Sequence, residues 1–318
     1  MSSGTTASGT AFTGFGATMA DGSGARRFLA NDKIGVSGLP FLIYFHGAGS
    51  NGNFFESASV FFGIRDKLID AGWVCIESNG GPTNAEGQQN WGNEESRTAY
   101  TLAFEWADGI HNLGQGAVLG RSMGGINGHY FGTRHPTIAP RVDAIIINSG
   151  VCNLLASNMV GENGTAIPGT SPVQYSGSGK FWPTMWTAHD VADAPAFAAA
   201  VSPEYDPHQF DPSVFDGVNI QQLVGTADYT VPMADHGLAM RTRYSGRPAI
   251  DSVVIGDGKS HASSNGMYDY TDDMWAFLLE AMPGSVGPVD PPADPVIHKR
   301  LKSYLWDGQD SYELTPRA

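Results

Sequence analysis

Cysteine is scarce. The chain holds two in 318 residues, Cys75 and Cys152, which excludes a disulfide framework. Each ends an apolar run (GWVCI and AIIINSGVC), the setting of a small buried thiol, and a single bridge between them stays open. Neither stands in a Cys-x-x-Cys or His-x-x-x-His spacing, so no zinc site is expected. Basic residues are also few. Lys and Arg number 18 against 32 Asp and Glu, a formal charge of −14. That excludes a broad electrostatic grip on nucleic acid and argues against an anionic membrane surface. No apolar run approaches the roughly 18 residues needed to insert across a bilayer. Arg26 and Arg27 have no apolar stretch behind them, so no secretory signal is read. The expectation is a soluble chain, intracellular or released without a signal.

What is present is a repeating alternation. Residues 1–24 (MSSGTTASGTAFTGFGATMADGSG) lack bulky side chains and read as a flexible leader, although Phe12 and Phe15 could pin part of it to a sheet edge. Apolar strands follow at LPFLIYFHG, WVCIESN, GAVLG, VDAIIINSG, NIQQLVG and DSVVIGDG, with helical segments between most of them. Strands apolar throughout and alternating with helices predict a mostly parallel sheet covered on both faces, within a domain spanning 25–282. The irregular, aromatic-rich stretch at about 151–217 reads as a cap inserted over the carboxyl ends of the strands. The last helix, YTDDMWAFLLEAM, is amphipathic. Residues 283–296 read as a Pro-rich linker and 297–318 as a small C-terminal element.

The chemistry concentrates at three strand ends. Gly120-Arg121-Ser122-Met123-Gly124 follows an apolar strand and opens a helix, as a G-x-S-x-G nucleophile elbow requires. A glycine-rich turn with an incidental serine is the alternative, and the rest of the chain decides against it. Asp228 follows the fifth strand and His261 the sixth. The chain order Ser, Asp, His suits this arrangement, and all three converge on one sheet edge. A serine hydroxyl needs such a base to become nucleophilic at neutral pH. Of the nine histidines, His111, His129 and His135 fall on or beside helices. His189 and His208 fall in the insertion, His236 reads as structural, and His298 lies beyond the linker. Only His261 has both the position and the preceding acid. The N–H of Met123 and that of Ala48, with Gly49 as alternative, are the expected oxyanion donors; His46 reads as shaping that loop. Trp91, Phe181, Trp182 and Trp186 are candidates to line the cleft or to fill the core of the insertion. Asp206, Asp211 and Asp216 stand in turn contexts rather than a calcium site.

HGAGSNG, GRSMGG, GTADYTVP and GKSH, in this order, resemble the α/β-hydrolase superfamily over residues 36–282. Within it they are most similar to the branch of polyhydroxyalkanoate depolymerases and of feruloyl and acetylxylan esterases. The resemblance implies an α/β-hydrolase fold and an acyl-enzyme mechanism on Ser122, Asp228 and His261, with no metal or organic cofactor and a carboxylic ester, simple or polymeric, as substrate. Peptide or amide cleavage uses the same triad, as does cofactor-free perhydrolysis, and a binding module without turnover is the reading from another class. The C-terminal KRLKSYLWDGQDSYELTPRA resembles the ends of actinobacteriophage minor tail proteins. That implies docking of the tail onto a virion or other protein assembly; a disordered or self-docking C-terminus is the alternative reading.

Overall fold

A computed structural model describes residues 1–50, 52, 54–57, 61–82, 89–154, 165–167, 174–176, 182–192, 196, 199, 204–261 and 270–285. The chain divides into units Met1–Gly287 and Pro288–Ala318. The C-terminal element and all but the first residues of the linker lie outside the described residues.

Six strands form the parallel part of the main sheet: β4 (Phe41–Phe45), β5 (Val74–Ser78), β6 (Gly116–Arg121), β7 (Val142–Asn148), β10 (Asn219–Gly225) and β11 (Ile250–Gly256). They lie in the order β5-β4-β6-β7-β10-β11 and are the six apolar runs read in the sequence. Their side chains alternate between two cores, as the two-residue period of a strand dictates. On β4, Leu42 and Tyr44 join one apolar cluster, while Phe41, Ile43 and Phe45 join the other. Helix α2 (Phe62–Asp70) packs its Ile64 and Leu68 into the first cluster. On the opposite face lies α3 (Glu94–His111), contributing Tyr100, Ala103 and Phe104. A continuous apolar strand is thus explained by burial on both faces. The same geometry answers the cysteine question. Cys75 and Cys152 belong to opposite clusters, and both are free and buried.

Helix starts follow local chemistry. Asn93 caps α3, its side chain accepting from the Ser96 N–H at 3.0 Å, and Glu94 and Glu95 in the first turn complement the helix dipole. A last long helix, α7 (Thr271–Ala281), buries Met274, Phe277 and Leu278 against the first cluster. Between α3 and α7 come α4 (Gly124–Thr133), α5 (Trp182–Ala188) and α6 (Gly237–Arg243); a four-residue α1 (Phe54–Ser57) precedes α2.

The leader is a correction. Residues 1–24 are not a flexible tail: β1 (Ser2–Thr5), β2 (Ala11–Thr18) and β3 (Gly24–Ala30) extend the sheet as antiparallel strands, with β3 on β5. Phe12 is buried in the first core cluster, and the Arg65 guanidinium stacks over its ring at 4.8 Å. The β1–β2 turn is tied to α2 by Thr6 Oγ1 donating to Asp70 at 2.7 Å and by the Ala7 N–H donating to Asp66 at 2.9 Å. Small side chains do not prevent a strand when a backbone ladder and one buried ring supply the free energy.

The inserted stretch carries a second, two-stranded sheet, β8 (Thr165–Ile167) with β9 (Gln174–Ser176). Its downstream end is anchored at Glu204, which accepts from Arg97 at 2.8 Å and Arg134 at 3.0 Å. Arg97 is itself held over the rings of Tyr130 and Tyr205, at 3.6 and 4.4 Å. Asp206 and Asp211 accept from the N–H groups of His208 and Ser213 in local turns. Among the described residues no cluster of potential metal ligands occurs. No described helix is long and apolar enough to cross a membrane.

Candidate active site

Ser122 joins β6 to α4 with φ at +50°, a left-handed conformation that costs a serine of order 1–3 kcal/mol. The surroundings hold it there. Its N–H donates to the Asn148 carbonyl at 3.1 Å, and its own carbonyl accepts from the N–H groups of Gly125 and Val151, at 2.9 and 2.7 Å. The turn also needs a bare Cα at Gly124, where a side chain would overlap the Phe45 carbonyl oxygen. The result is a sharp strand-to-helix turn presenting Oγ at the carboxyl edge of the sheet, above the start of α4.

Two loops deliver the other groups to the same edge, and they are bonded to each other. After β10 and β11 respectively, the N–H of Thr226 donates to Gly256 at 3.0 Å and that of Ala227 to Lys259 at 2.9 Å. The Gly258 N–H adds a bond to Thr226 Oγ1 at 2.7 Å. His261 Nδ1 lies 2.9 Å from Asp228 Oδ2, and His261 Nε2 lies 2.9 Å from Ser122 Oγ. The other carboxylate oxygen, Oδ1, accepts from the N–H groups of Thr230 and Val231, at 3.0 and 2.8 Å. Asp228 is therefore fully buried yet satisfied at both oxygens, with its side chain 1% exposed. This backbone cradle was not legible in TADYTVP, where Thr230 and Val231 have no distinguishing side-chain chemistry.

The loop after β4 passes directly beside the serine. A Cβ at Gly47 would lie 3.0 Å from Ser122 Cβ and 3.6 Å from Oγ, so glycine is what lets this loop approach. Its neighbour His46 is buried with its ring between two carbonyls, Gly47 at 2.8 Å and Asn79 at 3.1 Å. Burial pulls its pKa below the ordinary histidine value. His46 thus braces the loop against the end of β5. Among the described residues the N–H groups of Met123 and Ala48 donate to no protein group.

The other histidines are engaged elsewhere. His129 Nδ1 lies 2.8 Å from the Gly125 carbonyl, His236 Nδ1 accepts from the Cys152 N–H at 3.3 Å, and His189 Nε2 donates to the Trp91 carbonyl at 3.1 Å. Burial pushes His129 down to about 4 and His236 to about 3, leaving both neutral at pH 7.

The aromatic candidates divide. Trp91 is 1% exposed and packs with Met123, Ile126 and Met185, so it is core and not an open stacking face. Of the two readings the sequence left open, this is the core one, although GGPTNAEGQQNWGN is polar and turn-forming around it. Trp186 is half-buried against the same cluster. Phe181 and the Trp182 side chain lie outside the described residues. A cavity of about 880 Å³ opens beside Asn90, Asn93, Glu94, Thr184, His189 and Tyr205. None of Ser122, Asp228 and His261 lines it.

No family model and no curated protein matches the chain. Solved structures do. A prolyl endopeptidase superposes with a TM-score of 0.60 at 17% identity, covering 85% of this chain and 38% of that one. An acylaminoacyl peptidase from Pyrococcus horikoshii gives 0.61 at 12%, covering 89% and 43%. An S-formylglutathione hydrolase from Agrobacterium tumefaciens gives 0.61 at 15%, covering 88% and 98%. This chain therefore spans less than half the length of the two peptidases and nearly all of the S-formylglutathione hydrolase. With six parallel strands, helices on both faces and the bonded Ser122, His261 and Asp228 at three strand ends, the chain has the α/β-hydrolase fold.

Proposed function

We propose that this chain is a serine hydrolase that cleaves carboxylic esters through an acyl-enzyme. The observation that carries the reading is the unbroken relay from Ser122 Oγ through His261 to Asp228, 2.9 Å at each step. Carbonyl attack needs a hydroxyl, a base within hydrogen-bond reach and a group that fixes the base's tautomer.

The tautomer follows from the contacts. An ionised Asp228 accepts only, so Nδ1 carries the proton and Nε2 presents a lone pair to the Ser122 hydroxyl. His261 takes that proton as Oγ attacks the ester carbonyl. The carbonyl oxygen becomes an oxyanion, which the N–H groups of Met123 and Ala48 would receive. Support for these donors is the place of Met123 at the head of α4, where the helix dipole adds favourable potential, and the passage of the 46–49 loop beside Oγ. His261 then gives its proton to the leaving alkoxide. Water, deprotonated by the same imidazole, attacks the acyl-enzyme; the C–Oγ bond breaks as the imidazolium returns that proton to Oγ, freeing the acid and restoring Ser122.

Support for ester over amide is the likeness of HGAGSNG, GRSMGG, GTADYTVP and GKSH to the branch of depolymerases and esterases. The likeness of the C-terminal residues to phage minor tail proteins supports an extension of the reading, in which ester bonds of a cell-surface polymer are the substrate and the tail docks to a virion. The test compares purified protein on p-nitrophenyl acetate, butyrate and octanoate with the p-nitroanilides of the same acids. Turnover of the esters, at least about 10²-fold faster than the anilides in kcat/KM, is the expected result. Anilide turnover at an equal rate would move the assignment to an amidase.

A further inference from the structure

Trp91 stands in a conformation that a large side chain rarely adopts, with φ at +47°. Strain of this kind persists only where the surroundings over-determine it, and it clusters at functional sites. Four contacts hold the residue and its turn. The Trp91 backbone N–H donates to Met123 Sδ at 3.3 Å, and its indole N–H donates to Thr184 Oγ1 at 3.2 Å. The Trp91 carbonyl accepts from His189 Nε2 at 3.1 Å, and Asn93 Nδ2 donates to the Ala188 carbonyl at 2.9 Å. Gly92, also left-handed with φ at +71°, lies so close to Ile126 in the first turn of α4 that no side chain would fit between them.

The turn at 90–93 is thus clamped to the head of α3 and to α5 with the residues just after it. Its inner side closes on the first turn of α4. What it grips there is the Met123 side chain, itself 1% exposed, through both the indole packing and the unusual N–H···S contact. Thioether sulfur is a weak acceptor, and aligning a buried backbone N–H on it fixes the side chain at both ends. The Met123 N–H shares a peptide plane with the Ser122 carbonyl, which the Gly125 and Val151 N–H groups hold from one side; the grip on the Met123 side chain restrains the Cα at the other end of that N–H.

Resting on the hydrolase reading above, we propose that Trp91 is a positioning residue: it holds Met123 so that the Met123 N–H points at the developing oxyanion. Trp91 touches no reacting atom in this account. Its effect is on transition-state stabilisation, because misdirecting a preorganised donor weakens its bond to the oxyanion more than any bond to the ground-state ester.

The experiment compares wild type with Trp91→Phe, which keeps a ring but loses the bond to Thr184, and Met123→Leu, which keeps volume but loses the sulfur acceptor. Each is assayed for kcat and KM on p-nitrophenyl butyrate, for inhibition by butylboronic acid, and for its thermal midpoint. In the boronic acid adduct Ser122 Oγ adds to trigonal boron, its proton passes to His261 and nothing leaves, so the tetrahedral adduct probes the oxyanion contact. The expected result is a fall in kcat of about tenfold with KM within about twofold. Boronate affinity should fall by a similar factor at temperatures well below each variant's midpoint. Retention of kcat and boronate affinity within twofold in a folded variant overturns the proposal, as does a loss of kcat with boronate affinity unchanged. Should Trp91→Phe not fold, Met123→Leu decides alone. A wild type that neither turns over ester nor binds the boronate sinks the hydrolase reading first, and the positioning role falls with it.

Discussion

Ser122→Ala is expected to lower kcat for ester hydrolysis by on the order of 10⁶, while KM moves only a few-fold. The substitution removes one oxygen from a residue whose backbone bonds all survive. The N–H to Asn148 and the carbonyl's bonds to Gly125 and Val151 do not involve the hydroxyl. The left-handed turn costs the methyl side chain about what it costs serine, so the variant should fold with an unchanged thermal midpoint. Any activity that remains would report what the oxyanion donors and binding achieve with water as nucleophile. Stopped assays at high enzyme concentration measure it, and a variant retaining a tenth of wild-type kcat would place the nucleophile elsewhere.

The second large effect belongs to Asp228→Asn, expected to lower kcat by about 10⁴ with KM and stability little changed. The derivation is in the hydrogen bonds. Asp228 Oδ1 faces two donors, the N–H groups of Thr230 and Val231. An asparagine must therefore keep its carbonyl oxygen there, because its NH₂ would oppose both. The NH₂ is then forced toward His261 Nδ1, which must accept. The ring proton moves to Nε2 and points at Ser122 Oγ, where a lone pair is needed. Geometry is preserved while the base is lost. A loss below tenfold would mean that Asp228 does not set the tautomer. A loss accompanied by unfolding would mean that its main work is to hold the loop.

Three features of the sequence made the relay legible. Each relay residue follows an apolar run of strand length, the serine carries its flanking glycines, and the chain order is the one this topology requires. Strand ends on a parallel sheet converge whatever their separation along the chain, so the offset of 139 positions from Ser122 to His261 did not obscure their meeting. The leader was misread because AFTGFGAT earns its place through a ladder to β3 and one buried ring, and composition weighs neither. Trp91 was left between cleft and core for a related reason. Its burial depends on contacts from α5 and the first turn of α4, which a polar local sequence does not announce. The two N–H groups that cradle Asp228 were invisible because backbone donors leave no mark on residue type. Backbone geometry was readable where glycines mark it, as at the turn of Ser122, and not where ordinary residues such as Thr230 and Val231 supply the donors.

The central claim is that Ser122 is an activated nucleophile, and fluorophosphonate labelling followed by peptide mapping tests it most directly. The folded wild-type chain should take up one phosphonyl group, on the peptide carrying Ser122, with label absent from Ser122→Ala and strongly slowed in Asp228→Asn. Ser149 is an internal control, since it is also left-handed and buried but faces no histidine base in the described contacts. Adduct on Ser149 or any other serine, or no adduct on a folded chain, would contradict the account.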